Sequence, residues 1–418
     1  MRRTVLLVLL VAGAANAFAS GFQVTAQSAR SMGMGLASTG VANDASAIYY
    51  NPAGLALLPD TQFVIGAMVA TNLEAQYTGP SGISEEQKSS LNVLPQLYYA
   101  TPIGKWRLGV GLNTPFGLPL QWEDRDTFSG RRISYLANVK TMNLNPTVAY
   151  QVTPNLGVAV GADWVHSKLQ LERRVAASLP IGVRDIADAK LKSDLFDADG
   201  FGWNAGVMWK SGGLRLGASY RSAVDIEHEP TLTITQIPTG IAAIDAFVAS
   251  TLPTAPLDAS VDIELPASLD LGASLTFGPN NTIISADADR TDWTSFSQLA
   301  VVVPAAPALS STRHTNWNDT WAYRVGVDLK CGPWRCRAGY YSDSTPQPLA
   351  DVGPVLPDAD RNAFTVGLGI PVGGAWTVDL GYVHVMFDDR TTTTATTDQL
   401  AGLWETTGAE LAVNLRYH

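Results

Sequence analysis

The sequence predicts an all-β protein: a 14-stranded antiparallel transmembrane β-barrel with an N-terminal hatch (plug) inside the lumen. Three observations predict this architecture. Apolar and polar residues alternate in repeated stretches, short Gly/Pro/Asn turns alternate with long polar segments, and the residues after an export signal follow neither pattern. A sheet that is apolar on one face and polar on the other, with no helices to cover it, is typical of a closed barrel in lipid.

Residues 1–19 have the features of a secretory signal peptide. Two arginines precede an apolar run over residues 4–15, and residues 17–19 read Ala-Phe-Ala, which matches an A-x-A cleavage site. This apolar run is too short to cross the ~30 Å hydrocarbon core of a bilayer as a helix. We therefore expect export and a mature chain that begins near Ser20.

Residues 20–59 form the predicted hatch. They are rich in Gly and other small residues, contain an Asn51-Pro52-Ala53 motif, and show no sustained strand or helix pattern. The stretch is too polar to lie in lipid. Because a 14-stranded barrel encloses more space than its own side chains fill, we place this segment in the lumen. The barrel itself is expected over residues 60–418.

The number of strands follows from the connections between them. Six are short turns, near residues 101–104, 153–155, 210–213, 278–281, 331–336 and 371–374. Seven are long polar segments, near residues 74–90, 113–137, 173–200, 222–262, 297–318, 343–361 and 388–402. These thirteen connections imply fourteen strands. Bacterial barrels place short turns in the periplasm and long loops outside the cell.

Aromatic side chains mark the predicted membrane interface. At the turn ends of successive strands they fall on the outward phase, at Tyr99, Tyr150, Trp209, Phe277 and Tyr417. Such a row is the expected aromatic girdle of a barrel in lipid. A soluble β-sandwich shows similar alternation, but it does not concentrate aromatic residues at one end of its strands.

The net charge and the predicted location limit the classes of molecule that this protein can bind. The net charge of −10 argues against nucleic acid. An outer-membrane location implies contact with membrane lipid and lipopolysaccharide and insertion by the barrel-assembly machinery.

The two cysteines, Cys331 and Cys336, flank a tight turn, so they either form a disulfide bond or remain free thiols. No second Cys or His pair lies near them, so we predict no metal site and no cofactor.

Several motifs resemble one known family. The sequences Gly21-Phe22-Gln23 and Asn51-Pro52-Ala53 stand about thirty residues apart ahead of the predicted barrel, and further matches extend over the mature chain, as in Tyr220-Arg221-Ser222, Leu265-Pro266-Ala267-Ser268, Trp293-Thr294-Ser295-Phe296, Trp317-Asn318-Asp319-Thr320-Trp321 and Pro357-Asp358-Ala359-Asp360-Arg361. In this order and spacing they resemble the FadL-type long-chain fatty acid transporters.

That resemblance implies a monomeric outer-membrane channel that takes up hydrophobic small molecules past a hatch. Ligand would be caught by extracellular loops, pass to an apolar site in the lumen, and leave by movement of the hatch or sideways through a gap in the wall. It also implies a gating role for Phe22, Asn51, Pro52 and Ala53, although Asn-Pro is equally a common loop opener. Because the family includes aromatic-hydrocarbon channels, fatty acid and aromatic substrates both stay open.

One predicted external loop carries an apolar stripe at roughly helical spacing, made of Ile241, Ile244, Phe247, Val248 and Leu252. An exposed stripe of this kind must be covered or must bind something. It therefore either packs on a neighbouring loop or lines a groove where the ligand lands.

The predicted lumen contains both charged and apolar candidates. Four arginines fall on inward phases, Arg107, Arg215, Arg221 and Arg324, and they either pair with inward carboxylates or meet the head group of a ligand. If Asp379 points inward, then Val383, Val385 and Phe387 share its face and give the upper lumen an apolar wall.

Competing functions make different predictions. A general porin would lack a hatch and conduct ions or sugars. An outer-membrane hydrolase would need a catalytic constellation, yet the sequence has no HExxH motif and no G-x-S-x-G elbow, and His384 is the one histidine that merits mention. We therefore predict a channel and not an enzyme.

Overall fold

The computed structural model describes residues 21–89, 91–177 and 187–418. The predicted signal peptide and cleavage site lie outside these residues. Fourteen long strands follow in chain order: β1 (Gln62–Thr78), β2 (Asn92–Ile103), β3 (Trp106–Asn113), β4 (Leu136–Thr153), β5 (Leu156–Ala177), β6 (Phe196–Ser211), β7 (Leu214–Arg221), β8 (Ser268–Phe277), β9 (Thr282–Thr291), β10 (Thr320–Cys331), β11 (Trp334–Asp343), β12 (Arg361–Gly373), β13 (Trp376–Phe387) and β14 (Gly402–Tyr417).

Each strand pairs antiparallel with the next one in the chain, and β14 pairs with β1, so the sheet closes on itself. At the seam, Phe63 is opposite Tyr417 and Thr78 is opposite Leu403. The prediction of a closed 14-stranded antiparallel barrel is confirmed. Closure leaves no edge strand whose N–H and C=O groups would meet lipid unpaired.

The outer wall is apolar and carries aromatic residues near the short turns. Tyr99, Trp209, Phe277 and Tyr417 are all exposed on the outer surface. Neighbouring strands place such rings side by side: the ring centroids of Trp106 and Tyr150 are 4.6 Å apart. The observed arrangement is an interfacial girdle, because the amphipathic rings of Trp and Tyr favour the boundary between lipid and water.

Short turns join strands at one end of the barrel and long loops at the other. The loops carry shorter strands of their own, Ser84–Glu86, Gly117–Gln121, Ala187–Ser193, Val224–His228, Thr231–Gln236, Leu257–Asp258, Ser260–Leu265, Gln298–Val302, Ser311–His314 and Arg390–Thr392, and the 3₁₀ helices Trp293–Ser295, Pro307–Leu309 and Leu349–Asp351. Four of these strands form a separate small sheet. The loop end therefore has an ordered core of its own.

Residues 21–59, the hatch, run through the lumen from the loop end to the turn end. They contain helix α1 (Ala29–Gly33), helix α2 (Ala47–Tyr50) and the 3₁₀ helix Pro52–Leu57. Nearly all of these residues are buried, although many are polar or small. Near the loop end Phe22 lies among loop residues, and near the turn end the carbonyl of Leu58 accepts a hydrogen bond from Arg107.

Glycine is the residue that lets the hatch approach the wall. A Cβ added to Gly33 of the hatch would lie 2.8 Å from the Cα of Gly367 on β12. Inward-facing glycines meet hatch backbone atoms in the same way on most of the wall, at Gly157, Gly206, Gly217, Gly272, Gly326, Gly339, Gly367 and Gly381. At these positions hatch backbone and wall backbone are in direct contact, whereas Gly109 and Gly111 make room for the side chain of Ile48.

Polar contacts fix the hatch further. The carboxylate of Asp287 on β9 accepts hydrogen bonds from the backbone N–H groups of Thr39, at 2.6 Å, and Gly40, at 3.4 Å. Arg215 on β7 donates to the carbonyl of Val41 at 2.8 Å. Because buried polar groups are costly when unpaired, these bonds set the position of the hatch as well as its stability.

The turn between β10 and β11 contains a disulfide bond. It joins Cys331 and Cys336, whose Cα atoms are 5.8 Å apart. No described cysteine is free. In the ranges 21–89, 91–177 and 187–418, no helix is both long and apolar enough to cross a membrane.

Substituting one wall glycine tests the role of backbone contact. A Cβ at Gly326 would overlap the carbonyl oxygen of Met34, so Gly326→Ala is expected to destabilise the folded barrel by about 1–3 kcal/mol. Gly117→Ala is a matched control, because its Cβ would have its nearest neighbour at 3.7 Å. Urea unfolding of both variants in lipid vesicles measures the difference, and equal stabilities would contradict the packing argument.

Candidate ligand-binding site

An apolar pocket of about 610 Å³ lies at the loop end of the lumen. Its walls come from the upper halves of β4 and β5, from four loop segments and from the first hatch residues. The lining residues are Phe22, Ala137, Val139, Leu169, Leu171, Ile263, Phe296, Leu299, Arg313, Thr315, Trp317, Gln347, Val355 and Leu356. This composition suits an apolar ligand.

The polar side chains of this pocket are already engaged. Arg313 forms an ion pair with Asp398 and donates a hydrogen bond to the carbonyl of Asp351. Gln347 donates to two backbone carbonyls and accepts a bond from the N–H of Asp358. The pocket therefore offers an incoming molecule mainly apolar contact.

Phe22 closes the inner end of the pocket. Its ring lies in an aromatic cluster with Phe116, Trp293, Phe296 and Trp317, at centroid distances of 5.7, 5.1, 5.5 and 6.3 Å. Such edge-to-face and tilted contacts add to the stabilisation that burial of each ring provides. The first hatch residues are thereby held between the pocket and the rest of the lumen.

Behind Phe22 and Phe116 lies a second cavity of about 710 Å³ with a different character. Gln23, Thr25, Tyr49 and Tyr50 of the hatch face it from one side, and charged residues of β7, β8, β9 and β10 face it from the other. The lumen thus changes from apolar to polar across a layer of aromatic rings.

The barrel wall is interrupted beside these rings. The ladder between β2 and β3 ends at the pair Leu97 and Leu112, and the chain of β3 resumes pairing with β4 only at Gly117. Residues 114–116, which we call the wall break, bond to the hatch on the β2 side. On the other side Phe116 remains bonded to Thr141 of β4, whose N–H donates to the Phe116 carbonyl at 3.3 Å and whose hydroxyl oxygen accepts from the Phe116 N–H at 3.0 Å. Val24 donates to the carbonyl of Pro115 at 2.8 Å, and Gly117 donates to the carbonyl of Phe22 at 3.0 Å.

Side chains of the hatch complete this seal. Gln27 donates to the carbonyl of Thr114 at 2.7 Å and accepts from its N–H at 3.2 Å. On the other side of the break, Gln96 of β2 donates to the carbonyl of Ala26 at 2.8 Å. Hatch residues 22–27 therefore satisfy backbone groups that a neighbouring strand would satisfy in an unbroken wall.

The Asn51-Pro52-Ala53 motif sits against the wall nearer the turn end. Asn51 is fully buried; its amide nitrogen donates to the carbonyls of Thr39, at 3.3 Å, and Val207 on β6, at 3.1 Å. Its side-chain oxygen accepts from the N–H of Ala53 at 3.1 Å and so caps the 3₁₀ helix that Pro52 begins. The motif joins two parts of the hatch to one strand.

A carboxyl group outside the membrane-spanning strands holds the first described residue. Asp358, in the loop before β12, accepts hydrogen bonds from the N–H of Gly21 at 3.2 Å and from the hydroxyl of Thr345 at 2.7 Å. Burial raises the pKa of Asp358 to about 6, while the positive charge of Arg361 opposes that increase. Burial also raises the pKa of the nearby Asp360 to about 6, against the charge of Arg390.

Comparison with known proteins identifies the family. The family described as outer membrane protein transport protein (OMPP1/FadL/TodX) matches residues 10–418. The chain belongs to this family. Members of the OMPP1/FadL/TodX family are outer-membrane transport channels rather than enzymes, which confirms the location and the non-enzymatic role that the sequence predicts.

Individual relatives agree with this assignment. The chain is 24% identical over 389 residues to the long-chain fatty acid transport protein of Salmonella typhi, with 88% of each chain covered. Its fold matches the crystal structure of a Pseudomonas aeruginosa FadL homologue with a TM-score of 0.82 at 19% identity, covering 95% of this chain and 99% of the other. It also matches the Ralstonia pickettii toluene transporter TbuX, with a TM-score of 0.68 at 19% identity, covering 94% and 98%.

The apolar stripe of the external loop lies apart from the pocket. Its residues fall on or beside helix α3 (Ala242–Thr251), where Val248 is buried and Ile241 is 55% exposed. Among the described residues that line the two larger cavities, none comes from this stripe. The landing groove predicted for Ile241, Ile244, Phe247, Val248 and Leu252 stays a prediction.

The four inward arginines separate into two pairs. Arg221 and Arg324 face the polar cavity, where they form ion pairs with Asp163 and Asp289 respectively. Arg215 binds the hatch, and Arg107 binds backbone carbonyls near a short turn. The alternation of residues along a strand shows that an arginine faces the lumen, but its position along the strand decides whether it reaches a cavity.

Val383 and Val385 point inward, as does Asp379, and Phe387 lies partly buried beside them. These apolar side chains pack against Ala26, Ala29 and Met32 of the hatch. In this structure they form the part of the wall on which the hatch packs. The role of Val383, Val385 and Phe387 in guiding ligand stays a prediction.

Sequence reasoning missed most of the pocket lining. Val139, Leu169 and Leu171 are apolar residues on the inner face toward the loop ends of β4 and β5, and the same pattern occurs at Val383 and Val385 on β13. Trp293, Phe296 and Trp317 belong to motifs whose sequence alone indicates no role. Among the described residues, no group of three or more His, Cys, Asp or Glu side chains could hold a metal ion.

The buried carboxyl group of Asp358 predicts a pH effect on the hatch terminus that it holds. Burial raises the pKa of Asp358 although the hydrogen bond from Gly21 lowers it, so an opening that returns this carboxyl group to water releases a proton. The closed form therefore gains stability as pH falls through about 6 and loses it as pH rises again. Hydrogen exchange of the peptide covering residues 21–28, corrected for the intrinsic rate, should show about tenfold greater protection at pH 5 than at pH 7.

Asp358→Asn is the control for this measurement. It keeps an acceptor for Gly21 and removes the titration, so it should reduce the pH dependence, with a remainder from Asp360. Equal protection at the two pH values in the unmodified protein would contradict the prediction.

Proposed function

We propose that this protein is an uptake channel for hydrophobic small molecules, most of all long-chain fatty acids. The observation that carries the proposal is the apolar pocket of about 610 Å³ at the loop end, closed on its inner side by Phe22 of the hatch. Removing an alkyl chain from water into such a pocket is favourable by ~0.8 kcal/mol for each buried CH₂ group. The loop end faces outside the cell, so the pocket is placed to capture ligand there.

The preference for fatty acids rests on sequence similarity. The relative from Salmonella typhi, similar over 88% of this chain, is a long-chain fatty acid transport protein. The otherwise apolar lining includes Arg313, Thr315 and Gln347, and the polar end of a long tail would compete for the bonds that these residues already make.

Uptake of aromatic hydrocarbons is the second candidate. The Ralstonia pickettii toluene transporter shares the fold. The engaged state of Arg313 and Gln347, together with the five aromatic rings around the inner end of the pocket, suits a ligand without a head group.

For the exit we propose the wall break rather than passage through the hatch. Backbone contacts at the inward glycines and the bonds from Asp287 and Arg215 hold the middle of the hatch against the wall. Residues 22–27 are attached to the wall break by a few hydrogen bonds. Moving this short stretch opens a path between β2 and β3 into lipid, which is the favourable destination for an apolar molecule.

The remaining partners follow from this location. We propose that the channel works as a monomer, is inserted by the barrel-assembly machinery, and contacts lipopolysaccharide through the outer surface at its loop end.

A charge placed in the pocket tests capture. Leu356→Asp puts a carboxylate against the ligand path, so uptake of radiolabelled palmitic acid by cells should fall at least tenfold at equal surface abundance. Leu349→Asp is the matched control, since Leu349 lies in the same loop, is 47% exposed and does not line the pocket. Unchanged uptake in Leu356→Asp would remove the pocket from the pathway. Parallel assays with toluene decide between the two substrate classes.

A reversible cross-link tests the exit. Gln23 and Phe116 face each other as an antiparallel bridge, and the flanking bonds make them a non-hydrogen-bonded pair, the geometry that brings Cα atoms close enough for a disulfide. In the double variant Q23C/F116C, oxidation should block uptake while palmitic acid still binds, and reduction should restore uptake. The unmodified protein under the same reductant controls for Cys331 and Cys336. Full uptake by the oxidised variant would exclude the wall break as the exit.

A further inference from the structure

The polar cavity behind Phe22 and Phe116 has no part in capturing an apolar tail. Its lining contains two arginines, two aspartates, two tyrosines and a series of hydroxyl groups. Pro115 and Phe116 of the wall break also line it. Any molecule that leaves through the break therefore passes the mouth of this cavity.

Asp270 is the carboxyl group of this cavity that lacks a hydrogen-bond or ion-pair partner among the described residues. It stands on β8 directly opposite Asp289 on β9, and both side chains face the cavity. Asp289 is paired with Arg324, whereas Asp270 forms no hydrogen bond and no ion pair within the described ranges 21–89, 91–177 and 187–418. Like charges directly opposite each other on a sheet are destabilising. The site accordingly favours a partner that donates a hydrogen bond to Asp270.

Arg324 supplies a complementary feature. Its side chain is 3% exposed, its Nε is bound to Asp289 and its Nη2 lies 3.4 Å from Asp343, but its Nη1 has no partner among the described residues. A buried guanidinium N–H without an acceptor costs free energy that a bound acceptor would recover. Arg221, the other arginine of the cavity, is already engaged by Asp163 and by the ring of Tyr49, whose centroid lies 5.3 Å from the guanidinium carbon.

The cavity thus presents the free carboxyl group of Asp270, and the Nη1 of Arg324 lies buried in its wall without an acceptor. A hydroxyl group or a protonated carboxyl group donates to Asp270 through its O–H and also carries an acceptor oxygen for Arg324. A carboxylate matches less well, since Asp270 and Asp289 would repel it. An uncharged head is also what the exit requires, because a charged group entering hydrocarbon loses its hydration without compensation.

We infer that the polar cavity is a second ligand site, which binds the uncharged, oxygen-bearing head group of an amphiphile while its tail lies at the wall break. Asp270 is a specificity-determining residue of this site, and the channel selects alcohols and protonated acids over plain hydrocarbons. The inference rests on the proposed function, in that the ligand reaches the cavity from the apolar pocket.

Three sixteen-carbon probes test it: hexadecane, 1-hexadecanol and palmitic acid, each bound to the purified full-length protein in detergent and quantified by native mass spectrometry. We expect the unmodified protein to bind 1-hexadecanol about tenfold more tightly than hexadecane, the difference that one satisfied hydrogen bond makes. Asp270→Ala should reduce this preference to about twofold or less without changing the affinity for hexadecane. Asp270→Asn, which keeps a donor and an acceptor, should retain most of it.

Ser285→Ala is the control that removes a buried inward hydroxyl group of the barrel outside both cavities. Ser285 is a buried inward residue of β9 that lines neither cavity, so this variant should keep the full preference. An unchanged preference in Asp270→Ala would overturn the inference, as would equal affinities of the unmodified protein for 1-hexadecanol and hexadecane. If the unmodified protein still binds hexadecane and Leu356→Asp does not, the proposed function stands even when this inference fails. If the unmodified protein binds none of the three probes, the inference and the proposed function both fail.

Discussion

Every backbone N–H and C=O group that lies in hydrocarbon must have a partner within the protein, and this requirement determines the rest of the structure. A closed antiparallel sheet meets it, since each of the fourteen strands has two neighbours and none forms an edge. Closure with this many strands has a consequence of its own. The barrel encloses a lumen that its inward side chains do not fill, and the space must be occupied for the wall to be impermeable.

The hatch fills that lumen by bringing backbone against backbone. Glycines on both partners allow the approach, as where Gly33 meets Gly367, and carboxylates such as Asp287 bond to the hatch N–H groups. At one place the requirement for paired backbone groups is met by the hatch itself. Residues 114–116 have no pairing with β2 and bond to residues 22–27 on that side, so the same few hydrogen bonds complete the wall and fix the hatch terminus.

This shared use of the hatch terminus connects structure to transport. Phe22 closes an apolar pocket that opens toward the loop end, while Gln23 and Thr25 face a polar cavity on the other side. The carbonyl of Phe22 and the N–H of Val24 hold the wall break. In the exit that we propose, a displacement of this short segment connects the pocket, the cavity and the surrounding lipid in one event, while the glycine contacts hold the rest of the hatch in place.

The sequence by itself determined the barrel. Alternation, turn chemistry and outward aromatics such as Trp209 and Tyr417 are local signals, because a strand side chain faces one side or the other with a period of two. The same reasoning placed Asp379, Val383 and Val385 on one shared face, and in the structure this face is the inner one. It could not tell Arg107, near a turn, from Arg324, beside a cavity, because phase gives the face of the sheet but not the depth in the lumen.

Only the tertiary structure decided the binding site. The apolar pocket joins Phe22 to Leu169, Trp317 and Leu356, residues hundreds of positions apart that meet because loops fold over the barrel mouth. The unpaired state of Asp270 is equally invisible in sequence, since it depends on which carboxylate the nearest arginine reaches. Local patterns encode which way a side chain points, whereas long-range packing decides what it meets.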